Sequence, residues 1–326
     1  MIRIYGTLGP ASESKEILKE MLRAGMTGIR LNLSHSMLTE AAADLDALHA
    51  AEKETGIPSE LLIDLQGPEV RIGKLPKPRE LEIGSSVKFG EEIPVPLAVL
   101  QALQPGQKLL LDDGKLLLEM VTETEAKVLR GGMLASRKSL AIEGVDLHLP
   151  ALTDEDRVNL SHAAEFGVTA VMQPFVRGAE DLVTLRKALD DAGGSHIKIF
   201  AKVENQSGVQ HLPELLPHCD EIIIARGDLG NAVTLLQLPA VQKEIAAICR
   251  RAGKPFLVVT QLLASMEHAP IPTRAEVSDI FNAVQDGADS LMLTGETAVG
   301  AYPVDSIRWL RDAANAAEDY RNEKTR

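Results

Sequence analysis

The chain has 326 residues, and its hydrophobic fraction of 45% is enough to fill a sizeable core. This length exceeds one small domain and fits a barrel of roughly 250 residues with a module of about 75. The net charge of -13 argues against a nucleic-acid partner, because binding to the phosphate backbone selects basic surfaces. It still allows a small anionic substrate, which needs only a local patch of Arg and Lys.

Neither the cysteines nor the N-terminal segment indicates an exported or membrane-bound protein. Cys219 and Cys249 lack metal-site spacing, and we expect both to be buried thiols in a reducing compartment. The first residues have no apolar signal core, and no apolar run is long enough to span a membrane. We therefore expect a cytoplasmic protein without a membrane partner.

Short β-rich runs alternate with helical patterns in the first part of the chain. The first predicted strand covers 3–8, and the helix after it opens at 10–12 and ends at Gly25. Further strands are predicted over 28–34 and 61–66. From about 74 to 147, Gly, Pro and short alternating runs predict an all-β module, a small β barrel inserted after the third strand.

The alternation resumes after this module. Thr273 and Glu276 form a capping box that starts one helix, and Gly287 ends it. Five strands are predicted over 170–175, 197–204, 221–225, 255–260 and 290–293. Eight β/α units favour a closed (β/α)8 barrel, a TIM barrel in the α/β class, over an open sheet. The expected organisation is barrel over 1–72, inserted lid domain over 73–147, and barrel over 148–326.

Polar side chains gather where several predicted strands end. Because strand residues alternate sides, Arg30 and Asn32 share one side of the second strand, and Lys202 and Glu204 share one side of the fifth. In a closed parallel barrel these ends form the face that carries the chemistry. Any single pair could be an ion pair that only stabilises the barrel, but five strand ends together favour a functional site. The other strand-end residues are Ser34, Asp64, Arg226, Asp228 and Thr260.

This set of residue types suits phosphoryl transfer. Glu204 and Asp228 are two carboxylates with room for water or substrate oxygens, as Mg²⁺ and Mn²⁺ prefer. Arg30 and Arg71 could neutralise a phosphoryl group, and Lys202 would lie beside the metal. Positioning and charge neutralisation are the main requirements of this chemistry. Hard oxygen donors for a monovalent cation are also present: Asn32, Ser34 and Asp64.

Ten short motifs are spread along nearly the whole chain, over residues 7–12, 30–35, 64–71, 111–114, 202–205, 225–230, 251–255, 260–261, 272–279 and 295–298. Together and in this order they resemble the pyruvate kinase family. The resemblance implies a barrel interrupted by a mobile β domain that closes over the active site. It implies phosphoryl transfer from phosphoenolpyruvate to ADP, giving pyruvate and ATP, with Mg²⁺ or Mn²⁺ and K⁺ as cofactors. It also implies a barrel interface through which a homodimer can form.

The resemblance implies a role for each matching residue. Lys202 and Arg30 would be catalytic residues at the phosphoryl group, and Thr260 would lie near the carbon that gains a proton. The substrate would contact Ala225, Arg226, Gly227, Asp228 and Thr260. The divalent metal would be bound by Glu204 and Asp228, and K⁺ by Asn32, Ser34, Asp64 and the backbone oxygen of Leu65. The nucleotide would lie near Asn32, His35, Arg71 and Lys138. Glu69 matches the residue type of K⁺-dependent members.

Several segments depart from the family pattern. Leu65-Gln66 replaces Thr-Lys, Gln173-Pro174 replaces Ala-Ser, and 231–234 replaces an acidic segment. The sequence ends where the family continues into a domain with a sugar-phosphate site, so we expect no activation by a sugar bisphosphate. The departures leave open a lyase or aldolase for pyruvate-type substrates, a diverged phosphotransferase, or a non-catalytic binding protein. The inserted module argues against a lyase, and the retained carboxylates and lysine argue against a non-catalytic protein.

Overall fold

The computed structural model describes residues 1–34, 36–112, 114–143, 145, 147 and 149–325, with side chains up to 323. The chain forms two compact units, one of Met1–Gly67 with Ala151–Arg326 and one of Pro68–Pro150. The second unit is a few residues longer at each end than the predicted 73–147. Its first residues belong to it because the Ile72 N–H donates to the Lys138 carbonyl, 2.9 Å away, and Arg71 pairs with Ser139 in a β bridge.

The first unit begins with β1 (Arg3–Thr7), α1 (Lys15–Ala24), β2 (Gly28–Asn32), α2 (Ala42–Thr55) and β3 (Glu60–Asp64). The second unit contains β4 (Arg79–Leu81), β5 (Ser86–Lys88), α3 (Leu97–Ala102), β6 (Lys108–Leu111), β7 (Leu116–Met120), β8 (Glu125–Arg130), β9 (Gly132–Leu134) and β10 (Leu140–Ile142). The first unit then resumes with α4 (Asp154–Ala163), β11 (Ala170–Gln173), α5 (Ala179–Asp191), β12 (Lys198–Val203), α6 (Gln206–Gln210), α7 (Leu212–Leu215) and β13 (Glu221–Ala225). It ends with α8 (Arg226–Val233), α9 (Leu238–Ala252), β14 (Phe256–Val259), α10 (Arg274–Gln285), β15 (Ser290–Met292), α11 (Gly295–Ala298) and α12 (Pro303–Thr325).

Within the described residues, eight parallel strands close into a barrel in the order β1-β2-β3-β11-β12-β13-β14-β15, which confirms the predicted (β/α)8 architecture. Successive residues along the barrel strands pack alternately in two different hydrophobic cores. Leu62, Met172 and Phe200 fill the barrel interior, whereas Ile63 and Val171 pack in the larger core of the first unit. The predicted alternation is therefore present in the folded chain. On β2 and β12 it turns Arg30 and Lys202 toward the interior side, near the carboxyl ends of the strands.

The first and last residues of α1 and α10 show where local sequence signals were sufficient to predict the ends of a helix. The capping box of Thr273 and Glu276 is present at the start of α10, as predicted. The predicted start of α1 at 10–12 is wrong, because the cap is Ser14, whose side chain accepts from the Ile17 N–H. Ser12 is fully buried and instead donates its hydroxyl to the Thr7 carbonyl, 3.2 Å away. Gly25 ends α1 with a φ of 109°, a conformation that favours glycine.

The second unit is β-rich, but it differs from the prediction in two ways. Its described residues form an antiparallel sheet in the order β10-β6-β7-β8-β5 and a separate pair, β4-β9, in place of the expected closed small barrel. It also contains the helix α3, which the short alternating runs did not indicate. Among the described helices of the whole chain, none alone is long and apolar enough to cross a membrane; α8 and α9 pass that test only as a pair bent by 117°.

Candidate functional site

Asp64, at the end of β3, is the centre of a buried polar cluster at the mouth of the barrel. Its carboxylate is 2% exposed and receives two side-chain cations. Arg30 donates from Nε to Oδ2 at 2.8 Å, and its Nη2 lies 2.7 Å from the same oxygen. Lys202 Nζ lies 3.1 Å from Oδ2 and 3.2 Å from Oδ1. Burial favours the neutral form, but the Lys202 and Arg30 charges outweigh it and lower the pKa of Asp64 below its ordinary value.

Lys202 joins Asp64 to a second buried carboxylate, Glu204. Its Nζ lies 3.0 Å from Glu204 Oε1, and the other oxygen of Glu204 accepts the Phe175 N–H at 2.8 Å. Burial lowers the pKa of Lys202, but Asp64 and Glu204, with a smaller contribution from Asp228, raise it above its ordinary value. The ammonium group is therefore retained as a charge inside the barrel mouth.

Glu204 and Asp228 have the chemistry that a divalent metal requires. Glu204 follows β12, and Asp228 lies in the first turn of α8, directly after the neighbouring strand β13. Lys202 Nζ lies 3.0 Å from Glu204 Oε1, and the charge of Asp228 contributes to the raised pKa of Lys202. Within the described residues no group of three or more His, Cys, Asp or Glu side chains could bind a metal. A pair of hard oxygen donors still fits Mg²⁺ or Mn²⁺, which leave positions for water and substrate oxygens.

The residues expected to bind K⁺ lie at the ends of β2 and β3. Asn32 and Asp64 face each other in the register of these strands, and Asn32 Oδ1 accepts the Ser34 N–H at 3.1 Å. The side chain of Leu65 is 1% exposed and packs in the core. Its N–H donates to the Met172 carbonyl at 3.2 Å, so only a backbone oxygen of this residue could contribute to a cation site.

Arg226 and Thr260 form a second part of the site, where β13 and β14 end. Arg226 donates from Nε and Nη2 to the Thr260 carbonyl at 3.2 and 2.6 Å, and from Nη1 to Asp279 Oδ2 at 2.6 Å. Thr260 has a φ of 81°, which is strained for a β-branched residue, and Gln261 follows with a φ of 55°. A Cβ added to Gly227 would lie 3.2 Å from Thr260 Cγ2. The Arg226 side chain therefore fixes a strained residue at the barrel mouth.

The other expected nucleotide residues belong to the second unit or lie outside the described residues. Arg71 and Lys138 belong to the second unit, and each pairs there with an acid. Arg71 Nη2 lies 2.6 Å from Glu69 Oε2, and Lys138 Nζ lies 2.8 Å from Asp112 Oδ1. His35 lies outside the described residues.

Sequence reasoning missed three contributors to the site. The Phe175 N–H that binds Glu204 comes from a residue with a φ of 51°, and a side-chain pattern does not indicate such a backbone donor. Thr7 Oγ1 accepts from Arg30 Nη1 at 3.3 Å, and its place in the motif at 7–12 could have suggested a role. Asp279, the partner of Arg226, lies in the motif at 272–279.

Comparison with known proteins finds one family along almost the whole chain. Residues 1–307 match the family model described as pyruvate kinase, barrel domain. A pyruvate kinase of Sporosarcina psychrophila is 37% identical over 98% of this chain and 58% of its own length. Those of Geobacillus stearothermophilus and Aeropyrum pernix are 36% and 38% identical over 97% of the chain, and over 57% and 70% of their own lengths. The chain thus spans little more than half of several of the curated relatives it matches.

Proposed function

The chain belongs to the pyruvate kinase family, and from this premise we propose that it transfers a phosphoryl group from phosphoenolpyruvate to ADP. The observation that carries the proposal is the convergence of Lys202 and Arg30 on Asp64, beside Glu204. Two cations at one buried point suit the spread negative charge of a transferring phosphoryl group.

In this proposal Glu204 and Asp228 bind Mg²⁺ or Mn²⁺. The metal ion would supply charge neutralisation at the substrate oxygens. The K⁺ ligands are Asn32, Ser34, Asp64 and the backbone oxygen of Leu65, and the substrate carboxylate lies against the backbone of Ala225, Arg226 and Gly227. The nucleotide ligands are Asn32, His35, Arg71 and Lys138.

The residues of the chain then have separate tasks in the transfer. Lys202 and Arg30 stabilise charge on the phosphoryl group while an oxygen of ADP attacks phosphorus and the bond to the enol oxygen breaks. The Asp64 carboxylate orients both cations. Thr260 lies beside the methylene carbon of the enolate, which takes up a proton that originates from solvent and thereby completes pyruvate. Arg226, bonded to the Thr260 carbonyl, keeps that residue in place.

Pyruvate formation from phosphoenolpyruvate tests the proposal directly. The folded protein is supplied with phosphoenolpyruvate, ADP, Mg²⁺ and K⁺, and pyruvate is measured through a coupled dehydrogenase. We expect pyruvate only when both substrates and a divalent metal are present. No pyruvate above background would contradict the proposal, and absence of ADP binding would favour the lyase or aldolase alternative. Gel filtration would test the homodimer that the family resemblance implies.

A further inference from the structure

Asp156 is a fully buried acid in the first turn of α4. It forms a capping box with Thr153: its Oδ2 accepts the Thr153 N–H at 2.9 Å, and its own N–H donates to Thr153 Oγ1 at 3.0 Å. In a capping box, the side chain at this position accepts a hydrogen bond from one backbone N–H group. The carboxylate of Asp156 accepts hydrogen bonds from two further backbone N–H groups.

The additional N–H groups come from the segment that follows β3. Gln66 N donates to Asp156 Oδ1 at 2.9 Å, and Gly67 N donates to Oδ2 at 3.0 Å. Gly67 is the last residue of the first unit before the chain enters the second, and Ala151 is the first residue after it returns. One carboxylate therefore binds the outgoing segment 66–67 and the returning segment 151–153, both within the first unit.

Two residues at the end of β11 contact the same segments. Gln173 is fully buried, lies on the same side of its strand as Val171, and donates from Nε2 to the Ala151 carbonyl at 2.8 Å. Gly67 has a φ of 58°, and a Cβ there would lie 2.5 Å from Pro174 Cγ. Asp156, Gln173 and Pro174 are called the linker clamp below. The dipeptide 173–174, which departs from the family pattern, thus contacts the linkers.

We propose that Asp156 is a positioning residue: by fixing the backbone at 66–67, it holds Asp64 between Lys202 and Arg30. Asp64 lies two residues before Gln66, so loss of the backbone anchor moves the acid on which both cations converge. Displacements of about 1 Å at such a centre lower turnover by as much as roughly 100-fold. The catalytic part of this inference rests on the proposed function, whereas the anchoring of the backbone does not.

The substitution Asp156→Asn tests the anchor with almost no change in size. An amide keeps one oxygen and turns an N–H group toward a backbone donor, so it cannot accept all three bonds. Asp154→Asn is the matched control, because Asp154 is exposed in the same helical turn and loses the same charge. Hydrogen exchange of the Gln66 and Gly67 amides should accelerate by about ten-fold or more in Asp156→Asn. In Asp154→Asn the exchange rates of these two amides should equal those of the unsubstituted protein.

Steady-state kinetics of the same proteins test the link to Asp64. We expect kcat of Asp156→Asn to fall by roughly ten-fold, with KM for phosphoenolpyruvate changed by less than about two-fold. Unchanged amide exchange, or faster exchange with an unchanged kcat in the folded protein, would overturn the inference. If the unsubstituted protein makes no pyruvate, the proposed function fails, and the exchange data still decide whether the anchor exists.

A second variant covers the case in which Asp156→Asn does not fold. Gln173→Met preserves most of the side-chain volume and removes the bond to the Ala151 carbonyl. We expect the Thr153 amide to exchange several-fold faster, while the amides of β11 keep their protection. Equal exchange of Thr153 in the variant and the unsubstituted protein would refute the linker clamp.

Discussion

The two ends of the barrel carry similar sets of charged residues in different arrangements. Along β3 and β12, each end has one charged residue: Glu60 and Lys198 at the amino end, Asp64 and Lys202 at the carboxyl end. At the amino end each acid has one close cation and one hydroxyl group, and Arg3 also lies 3.8 Å from Glu60. Glu60 pairs with Lys198, 2.9 Å away, and accepts from the hydroxyl of Tyr5. Every charge there is satisfied by the protein itself.

The second acid at the amino end follows the same rule. Glu221 pairs with Arg3, 2.6 Å away, and accepts from the hydroxyl of Ser290. At the carboxyl end, in contrast, Arg30 and Lys202 converge on Asp64. The cations of the amino end, Arg3 and Lys198, have side chains that are 29% and 47% exposed, which indicates a stabilising network. Arg30 and Lys202 are each 13% exposed and lie close to one buried acid, which favours a site for an anion. The burial and spacing of the charges thus separate the two roles.

The largest expected effect comes from removing one of the converging cations. Lys202→Met should lower kcat by about a thousand-fold, because a charge beside the transferring phosphoryl group is lost. Lys198→Met, on the same strand at the amino end, removes an exposed ion pair worth at most about 1 kcal/mol and should leave kcat unchanged. Coupled assays of folded protein, checked by circular dichroism, make the measurement. Equal losses in both variants would remove the distinction between the ends.

Arg226→Lys should have an intermediate effect. A lysine cannot reproduce the fork that binds the Thr260 carbonyl and Asp279, so the strained Thr260 loses its support. We expect kcat to fall by roughly ten-fold. Arg251→Lys, at an exposed position of α9, is the control and should keep full activity. Full activity of Arg226→Lys would show that the function of Thr260 does not depend on the hydrogen bonds that Arg226 donates to its carbonyl.

Ser290→Ala tests the amino end by itself. The change leaves a buried oxygen of Glu221 with one partner fewer and should lower the free energy of unfolding by about 1 to 2 kcal/mol. Because the residue lies at the opposite end from the site, kcat at saturating substrate should not change. Urea denaturation and the coupled assay measure the two quantities. A lower kcat with unchanged stability would assign a functional role to the amino end.

The smallest effect is an opposite pH dependence of stability at the two ends. Burial raises the pKa of Glu221, although Arg3 and Ser290 oppose it, whereas the cations lower that of Asp64. Glu221 therefore stabilises the fold below its unfolded pKa of about 4.3, and this contribution is lost as the pH rises through its folded value. The contribution of Asp64 is present above about pH 3.9 and is lost as the pH falls through its lowered value.

Denaturation of Glu221→Gln and Asp64→Asn between pH 3 and 7 measures this difference. Relative to the unsubstituted protein, Glu221→Gln should gain stability as the pH rises, and Asp64→Asn should lose it. Parallel slopes for the two variants would contradict the assigned pKa directions.

The barrel and most of its charged mouth could be predicted from sequence because both depend on local patterns. Alternation along β2 and β12 separated Arg30 and Lys202 from the apolar residues, and the capping box located the start of α10. Contacts between distant segments could not be predicted. Asp156 binds Gln66 across 90 positions of sequence, and no spacing rule relates them. The φ of 81° at Thr260 depends on the support that Arg226 gives it from another strand end.

We infer that acids at the carboxyl ends of β12 and β13 bind a metal beside Lys202. A crystal structure with Mn²⁺ and oxalate, an analogue of the pyruvate enolate, tests it most directly through the anomalous signal of the metal. We expect one Mn²⁺ with Glu204, Asp228 and oxalate as ligands, and the Lys202 ammonium next to the oxalate. Mn²⁺ bound elsewhere, or oxalate at the barrel mouth without either carboxylate on the metal, would contradict it.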